Sequence, residues 1–131
     1  MLSESLRVMK KSKDRFYDSP KWMKLRRSAL RRDNYEDMEA KRYGKVKAAE
    51  VVHHIFPKDE FPEYAYCIWN LISVSTSTHN TFHDRDTDEL TEKGRQLLVR
   101  TARKYGIPVP EKYASPTEPK HTPFRKDWYE Y

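Results

Sequence analysis

The sequence has one cysteine, Cys67, in 131 residues. A single thiol closes no internal disulfide, so a stapled secreted scaffold is excluded and a reducing, intracellular setting is the default. No apolar run approaches the ~18 residues that span a bilayer, so no membrane role is expected. The start, MLSESLRVMKKSKDRF, lacks the apolar stretch of a signal peptide. Internal repeats and long low-complexity runs are missing too. What is present is polar: 37% hydrophobic, 35% charged, mean hydropathy −1.03. The length suits one domain with a small core.

Charge is unevenly spread. Residues 1–49 carry a net +8 and residues 50–131 a net −2, which together give the +6 of the chain. A basic half beside a nearly neutral one fits a polyanion partner, most simply nucleic acid; a solvated basic helix face accounts for it equally well.

Residues 1–15 read as a polar, basic arm with helical character. Ser19-Pro20 reads as an N-cap and first helical residue. Trp22, Leu25, Ala29 and Leu30 follow at helical spacing, with Arg26, Arg27, Arg31 and Arg32 mostly on the other side, and the helix should end near Asp33-Asn34. Residues 35–47 read as a loop turning at Gly44. Residues 48–56, AAEVVHHIF, look like a strand ended by Pro57, and NLISV from Asn70 to Val74 like a second. A helix is expected over 78–85, and another over 88–105 with Leu90, Leu97, Leu98 and Ala102 as its apolar stripe and Gly106 as its cap. The tail, 106–131, carries five prolines and Phe124, Trp128, Tyr129 and Tyr131. It either packs across the domain or forms an arm with aromatic anchors. The two strands should pair antiparallel against the helix at 78–85, an α+β arrangement.

Four of the five histidines fall in two short stretches, VVHHI and HNTFH. His79 and His83, four apart, would share one helix face and can grip one metal ion. The zinc-protease spacing is similar, but Asn80 stands where that pattern needs its glutamate base. Adjacent strand residues point to opposite faces, so His53 and His54 should do different jobs. One of them would complete the metal site while the other handles a proton, since imidazole titrates near pH ~6.5. That combination suits phosphodiester hydrolysis, with neighbouring Lys and Arg on the flanking phosphates. The simpler alternative, a buried histidine pair plus a surface pair, leaves their clustering with Asn70 unexplained.

VVHHI, Asn70 and HNTFH resemble the HNH, or ββα-metal, endonuclease motif, with intervals of 16 residues from His54 to Asn70, 9 to His79 and 4 to His83. The stretch FYDSPKWMKLRRSALRRDNY resembles the helical lead-in of small phage and bacterial members. The resemblance covers residues 16–85 and, more weakly, the helix to 105. It implies one HNH domain with a motif core over about 48–85, a lead-in over 16–34, a C-terminal helix and the tail. It implies His53, His79 and His83 as ligands of one divalent ion (Mg, Mn, Ni, Co or Zn), His54 as general base, and Asn70 as the motif's asparagine, bracing the loop that carries the base. DNA would be the substrate, in the cytoplasm of a bacterial host, with terminase or other phage packaging proteins as partners. Arg27, Arg32, Lys58 and Arg85 are candidate phosphate contacts, each of which also reads as ordinary surface charge. Cys67 reads as packed and His121 as unrelated.

One departure is informative. Many small HNH proteins bind a structural zinc through two C-x-x-C pairs. The corresponding stretches here are Asp37-Met38-Glu39-Ala40 and Ser75-Thr76-Ser77-Thr78. No structural zinc is therefore expected, and packing by Tyr35, Met38, Tyr43 and the aromatic loop should replace it. Two competing readings are a non-catalytic DNA-binding module with a relic site and a secreted nuclease toxin. The intact motif argues against the first, and the missing export signal against the second.

Overall fold

The computed structural model describes residues 15–114. The expected arm at 1–14, His121 and the tail aromatics lie outside the described residues. The elements run α1 (Pro20–Arg32), α2 (Met38–Arg42), β1 (Val51–His54), β2 (Leu71–Val74), α3 (Thr76–His79) and α4 (Glu92–Tyr105), with short 3-10 turns between. The fold is α+β around one antiparallel strand pair. Among the described residues, no helix is long and apolar enough to cross a membrane.

The strand register pairs Val51 with Val74, Val52 with Ser73, His53 with Ile72 and His54 with Leu71. Residues paired directly across an antiparallel ladder share a face. Val52, His54 and Leu71 therefore face one way, where Trp22, Ala29 and Leu30 of α1 cover them. Val51, His53, Ile72 and Val74 face the other way. On that side Ile55, Phe56, Phe82, Leu97, Leu98 and Ala102 form the second cluster. Both faces of a two-stranded sheet are thus buried, which such a small ribbon needs in order to be stable.

α1 begins as expected, with the Ser19 hydroxyl accepting from the Trp22 amide and Pro20 in the first turn. It ends at Arg32, and Asn34 and Tyr35 turn the chain with positive φ. Arg32 is exposed, its side chain 40% accessible, and is also tied to the fold. Its guanidinium grips Asp33 through two bonds and donates to the Ile68 and Leu71 carbonyls. Asp33 in turn accepts from the Ser73 amide, so this pair fastens α1 to β2.

The 35–47 stretch is not wholly loop. Asp37 caps the five-residue α2 through the Glu39 and Ala40 amides, a helix too short to show an apolar stripe. Tyr35 and Tyr43, 53% and 64% exposed, do not pack this region together, although Met38 is half-buried and Ala40 buried. A polar network holds it. Asp37 is fully buried; its Oδ1 accepts from the Glu39 and Ala40 amides and its Oδ2 from the Ser75 amide and hydroxyl. The Ser75 hydroxyl also meets Thr78 Oγ1 at 3.1 Å. Positions 37, 40, 75 and 78, compared above with two C-x-x-C pairs, are joined here by hydrogen bonds.

The other helices are shifted from expectation. α3 begins two residues after β2 ends, with Ser75 as its cap, and closes at His79 rather than running to 85. α4 begins at Glu92, capped by the Thr91 hydroxyl, and ends at Gly106 in the left-handed region. Leu90 lies outside it, bridged to His83. The start of the tail packs on the core, with Tyr113 buried and Ile107 and Val109 against it.

Burial alone would raise the Asp37 pKa; the hydrogen bonds from Thr78, Ala40 and Ser75 outweigh it and hold the group down to about 2, against 3.8. A depressed carboxylate stabilises the fold above its unfolded pKa and loses that contribution as pH falls through the folded value, here about 2 kcal/mol between pH ~4 and ~2. Asp37→Asn should therefore cost about 2 kcal/mol or more at pH 7, with the gap from wild type closing on acidification. Urea unfolding at both ends of that range checks it; a gap independent of pH would show that the charge is not what the network uses.

Candidate functional site

β1 sends His53 and His54 to opposite faces. His53, 2% exposed, meets His79 at the end of α3 and His83 just beyond it. The ring centroids of the three lie 5.2, 5.2 and 5.3 Å apart, and one ring nitrogen from each falls within 4.8 Å of the others. His79 and His83 do not share a helix face as the spacing suggested. After His79 the chain turns, with the Thr81 hydroxyl donating to the Thr78 carbonyl. Asp84 then accepts from the amides of Asp86 and Thr87. Such local side-chain bonds compete with helix continuation. His83 reaches the cluster instead from an antiparallel bridge to Leu90.

The donor set suits a divalent cation. His53 Nε2 is buried without a hydrogen-bond partner, an unusual cost for a polar atom unless something else satisfies it. His83 Nδ1 sits 3.2 Å from the Asp88 carbonyl. A carbonyl only accepts, so Nδ1 carries the proton and the lone pair lies on Nε2. Burial, then the charges of His79, His83 and His54, push the His53 pKa well below 6.5. Burial and His83 lower that of His79 despite Asp88. Neutral imidazoles are the form that ligates metal.

The turn bearing His83 is clamped to α4. The Thr91 amide donates to the Phe82 carbonyl and its hydroxyl to the Thr81 carbonyl. Gly94 completes the fit, since a Cβ there would lie 2.5 Å from the Phe82 carbonyl oxygen.

His54 occupies a different setting. Its ring stacks on Trp22 at 5.0 Å between centroids, with Phe16 and Tyr17 edge-on. Nε2 lies 2.9 Å from the Ala65 carbonyl. By the same reasoning Nε2 is protonated and the lone pair sits on Nδ1. Asn70 holds the loop that supplies that carbonyl. Fully buried, it accepts from the Phe56 amide and donates to the Phe56 and Tyr64 carbonyls. Asn70 thus ties Phe56 to Tyr64, the neighbour of Ala65.

The four cationic candidates fare differently. Arg27 is exposed on α1. Arg32 is exposed and at the same time bonded to Asp33 and to the Ile68 and Leu71 carbonyls. Lys58 is mostly covered, with Nζ 2.9 Å from Asp59 and over the Phe16 and Tyr17 rings. Arg85 is exposed but off any helix, in the acidic turn with Asp84, Asp86, Asp88 and Glu89. Trp22, Ala65, Asp88 and Gly94 were not foreseen as site residues. Only Trp22 had a sequence signal, its place in the lead-in stretch.

No family model matches the chain, and no curated protein matches it. A solved structure does: the HNH endonuclease of the deep-sea thermophilic bacteriophage GVE2 with manganese ion, at 26% identity and a TM-score of 0.51. The match covers 60% of this chain and 85% of that one. The fold is HNH-type.

The clamp on Phe82 makes Gly94 a test of how the histidine cluster is held. Gly94→Ala should cost about 1–3 kcal/mol by overpacking and weaken Mn or Co binding by at least about tenfold through displacement of His83. Titration calorimetry and thermal melts read both; unchanged metal affinity in a destabilised variant would show that the turn holds its geometry without α4.

Proposed function

We propose that this protein is a metal-dependent DNA endonuclease. The observation that carries the proposal is the convergence of His53, His79 and His83 with the buried Nε2 of His53 left to an incoming ligand, beside a separately oriented His54. The manganese-bearing HNH neighbour supports it. A divalent ion held by those three imidazoles would supply Lewis-acid stabilisation of charge on phosphate oxygens and on the leaving oxygen. This chain's own residues do the rest. His54 takes a proton from water at Nδ1, as general base. The Ala65 carbonyl keeps Nε2–H in place and favours the imidazolium that forms. Asn70 keeps that carbonyl where it is, and Trp22 fixes the ring plane.

Arg27 is the best placed of the four cationic candidates for a phosphate contact. The resemblance to small phage proteins, together with the phage origin of the structural neighbour, supports a setting in DNA packaging with a terminase partner. A relic DNA-binding module is the second reading; the intact histidine set weighs against it.

Stripped protein, given Mg, Mn, Co, Ni or Zn in turn, should nick or linearise supercoiled plasmid with at least one ion. His54→Ala should lower that rate by roughly 10²–10⁴-fold while metal binding persists, and His53→Ala should lose both. Folded wild-type protein that binds duplex DNA yet cleaves with no ion would overturn the nuclease and favour the relic module.

A further inference from the structure

The segment 41–47, KRYGKVK, holds four cations and no acid in seven residues. Every residue in it is exposed. Its apolar members stand out in solvent as well, Val46 at 85% and Tyr43 at 64%. A valine so exposed contributes nothing to the core. The segment is nonetheless well fixed. The Tyr43 and Lys45 amides both donate to the Ala40 carbonyl and the Gly44 amide to that of Lys41. At the base the Asp37 amide donates to the Lys47 carbonyl at 2.8 Å, which joins the segment to the Asp37 network. Gly44, at φ +74 with open space around it, forms a tip that another surface can approach closely.

Position relates this knuckle to the histidine cluster. Lys47 Nζ donates to the Ser77 hydroxyl at 2.8 Å, and Ser77 lies in α3 two residues before His79. The knuckle therefore stands less than one helical turn along α3 from a candidate metal ligand. A duplex engaged at that centre presents a charge every ~1.7 Å of its axis across a groove ~12 Å wide, so neighbouring phosphates come within reach of the knuckle. The nearest acids offset only part of its charge. Buried Glu39 pairs with Arg100 at 3.1 Å and with Arg42 at 3.7 Å, and Lys41 lies a loose 4.0 Å from Glu36.

We infer that the 41–47 knuckle is a second DNA contact, with Lys41, Lys45 and Lys47 on the phosphate backbone and Tyr43 and Val46 against the sugars. The choice of DNA as occupant rests on the nuclease reading. Fixed cations lose little freedom on binding, and backbone contacts set register without reading sequence. This grip differs from the α1 arginines in lying on the α3 side of the sheet.

The test is the salt dependence of binding to a short duplex, measured by fluorescence anisotropy in EDTA so that no cleavage intervenes. Each phosphate contact adds about 0.9 to the slope of log affinity against log salt. The triple variant Lys41→Gln, Lys45→Gln, Lys47→Gln should have a slope shallower by about 2 to 3. Lys45→Glu alone, at an exposed position, should weaken low-salt binding and guards against a fold defect in the triple variant. Hydrolysis of bis(p-nitrophenyl) phosphate, too small to reach the knuckle, should be unchanged in both. Slope and affinity equal to wild type in both variants would overturn the inference, as an acidic protein partner would require. So would wild type that binds no duplex, even if it hydrolyses the small diester. A slope lost in the variants, with no hydrolysis of either substrate by wild type under any ion, would keep the knuckle and remove the nuclease.

Discussion

The two-residue period of β1 is the constraint on which the molecule depends. Val52 and His54 must face α1 while Val51 and His53 face α3 and α4, and both faces must be covered. A slip of one residue would exchange the two histidines, placing the stacked imidazole among the cluster and the clustered one on Trp22. The register is therefore held from several sides. Asp33 accepts from the Ser73 amide, Arg32 reaches the Leu71 carbonyl, and Asn70 binds both backbone groups of Phe56. These bonds are made by buried or half-buried polar groups, for which an alternative register would leave partners unsatisfied at about 1–3 kcal/mol each. A four-residue strand pair could not enforce its pairing by apolar contacts alone.

The two sides of the sheet differ in chemistry because they differ in cover. On the α1 side an aromatic wall of Phe16, Tyr17 and Trp22 surrounds one imidazole whose Nε2 is already bonded to protein. On the other side three imidazoles face one another, with an acidic oxygen of Asp88 3.9 Å from His83. The first environment suits a group that accepts a proton at a defined atom. The second suits a cation that brings its own charge to a nearly neutral donor set.

Much of this was legible from residues. The α1 boundaries followed from Ser19-Pro20 and from the apolar spacing of Trp22, Ala29 and Leu30. The strand pair followed from its β-branched runs, and the opposite facing of His53 and His54 from strand alternation. The end of α3 was not legible, because HNTFH has helical spacing and only the Thr81 and Asp84 side chains, bonding locally, stop the helix. The start of α4 was misplaced for a related reason: Leu90 fits the apolar stripe, but Thr91 caps better and Leu90 is drawn into the bridge with His83. The bonds of Arg32 were not legible, because composition does not reveal which carbonyls lie within reach of a long side chain. The Asp37 network was invisible as such. Its members are scattered over forty positions, and each is an unremarkable polar residue until the fold brings them together.

That network carries a wider consequence. A knuckle tied by thiolates needs zinc to fold and fails when its sulfurs are oxidised. Carboxylate and hydroxyl groups have neither dependence. In this chain the ribbon that positions the histidines is joined by groups that need no ion to bond one another. An ion entering the cluster would meet a scaffold already built.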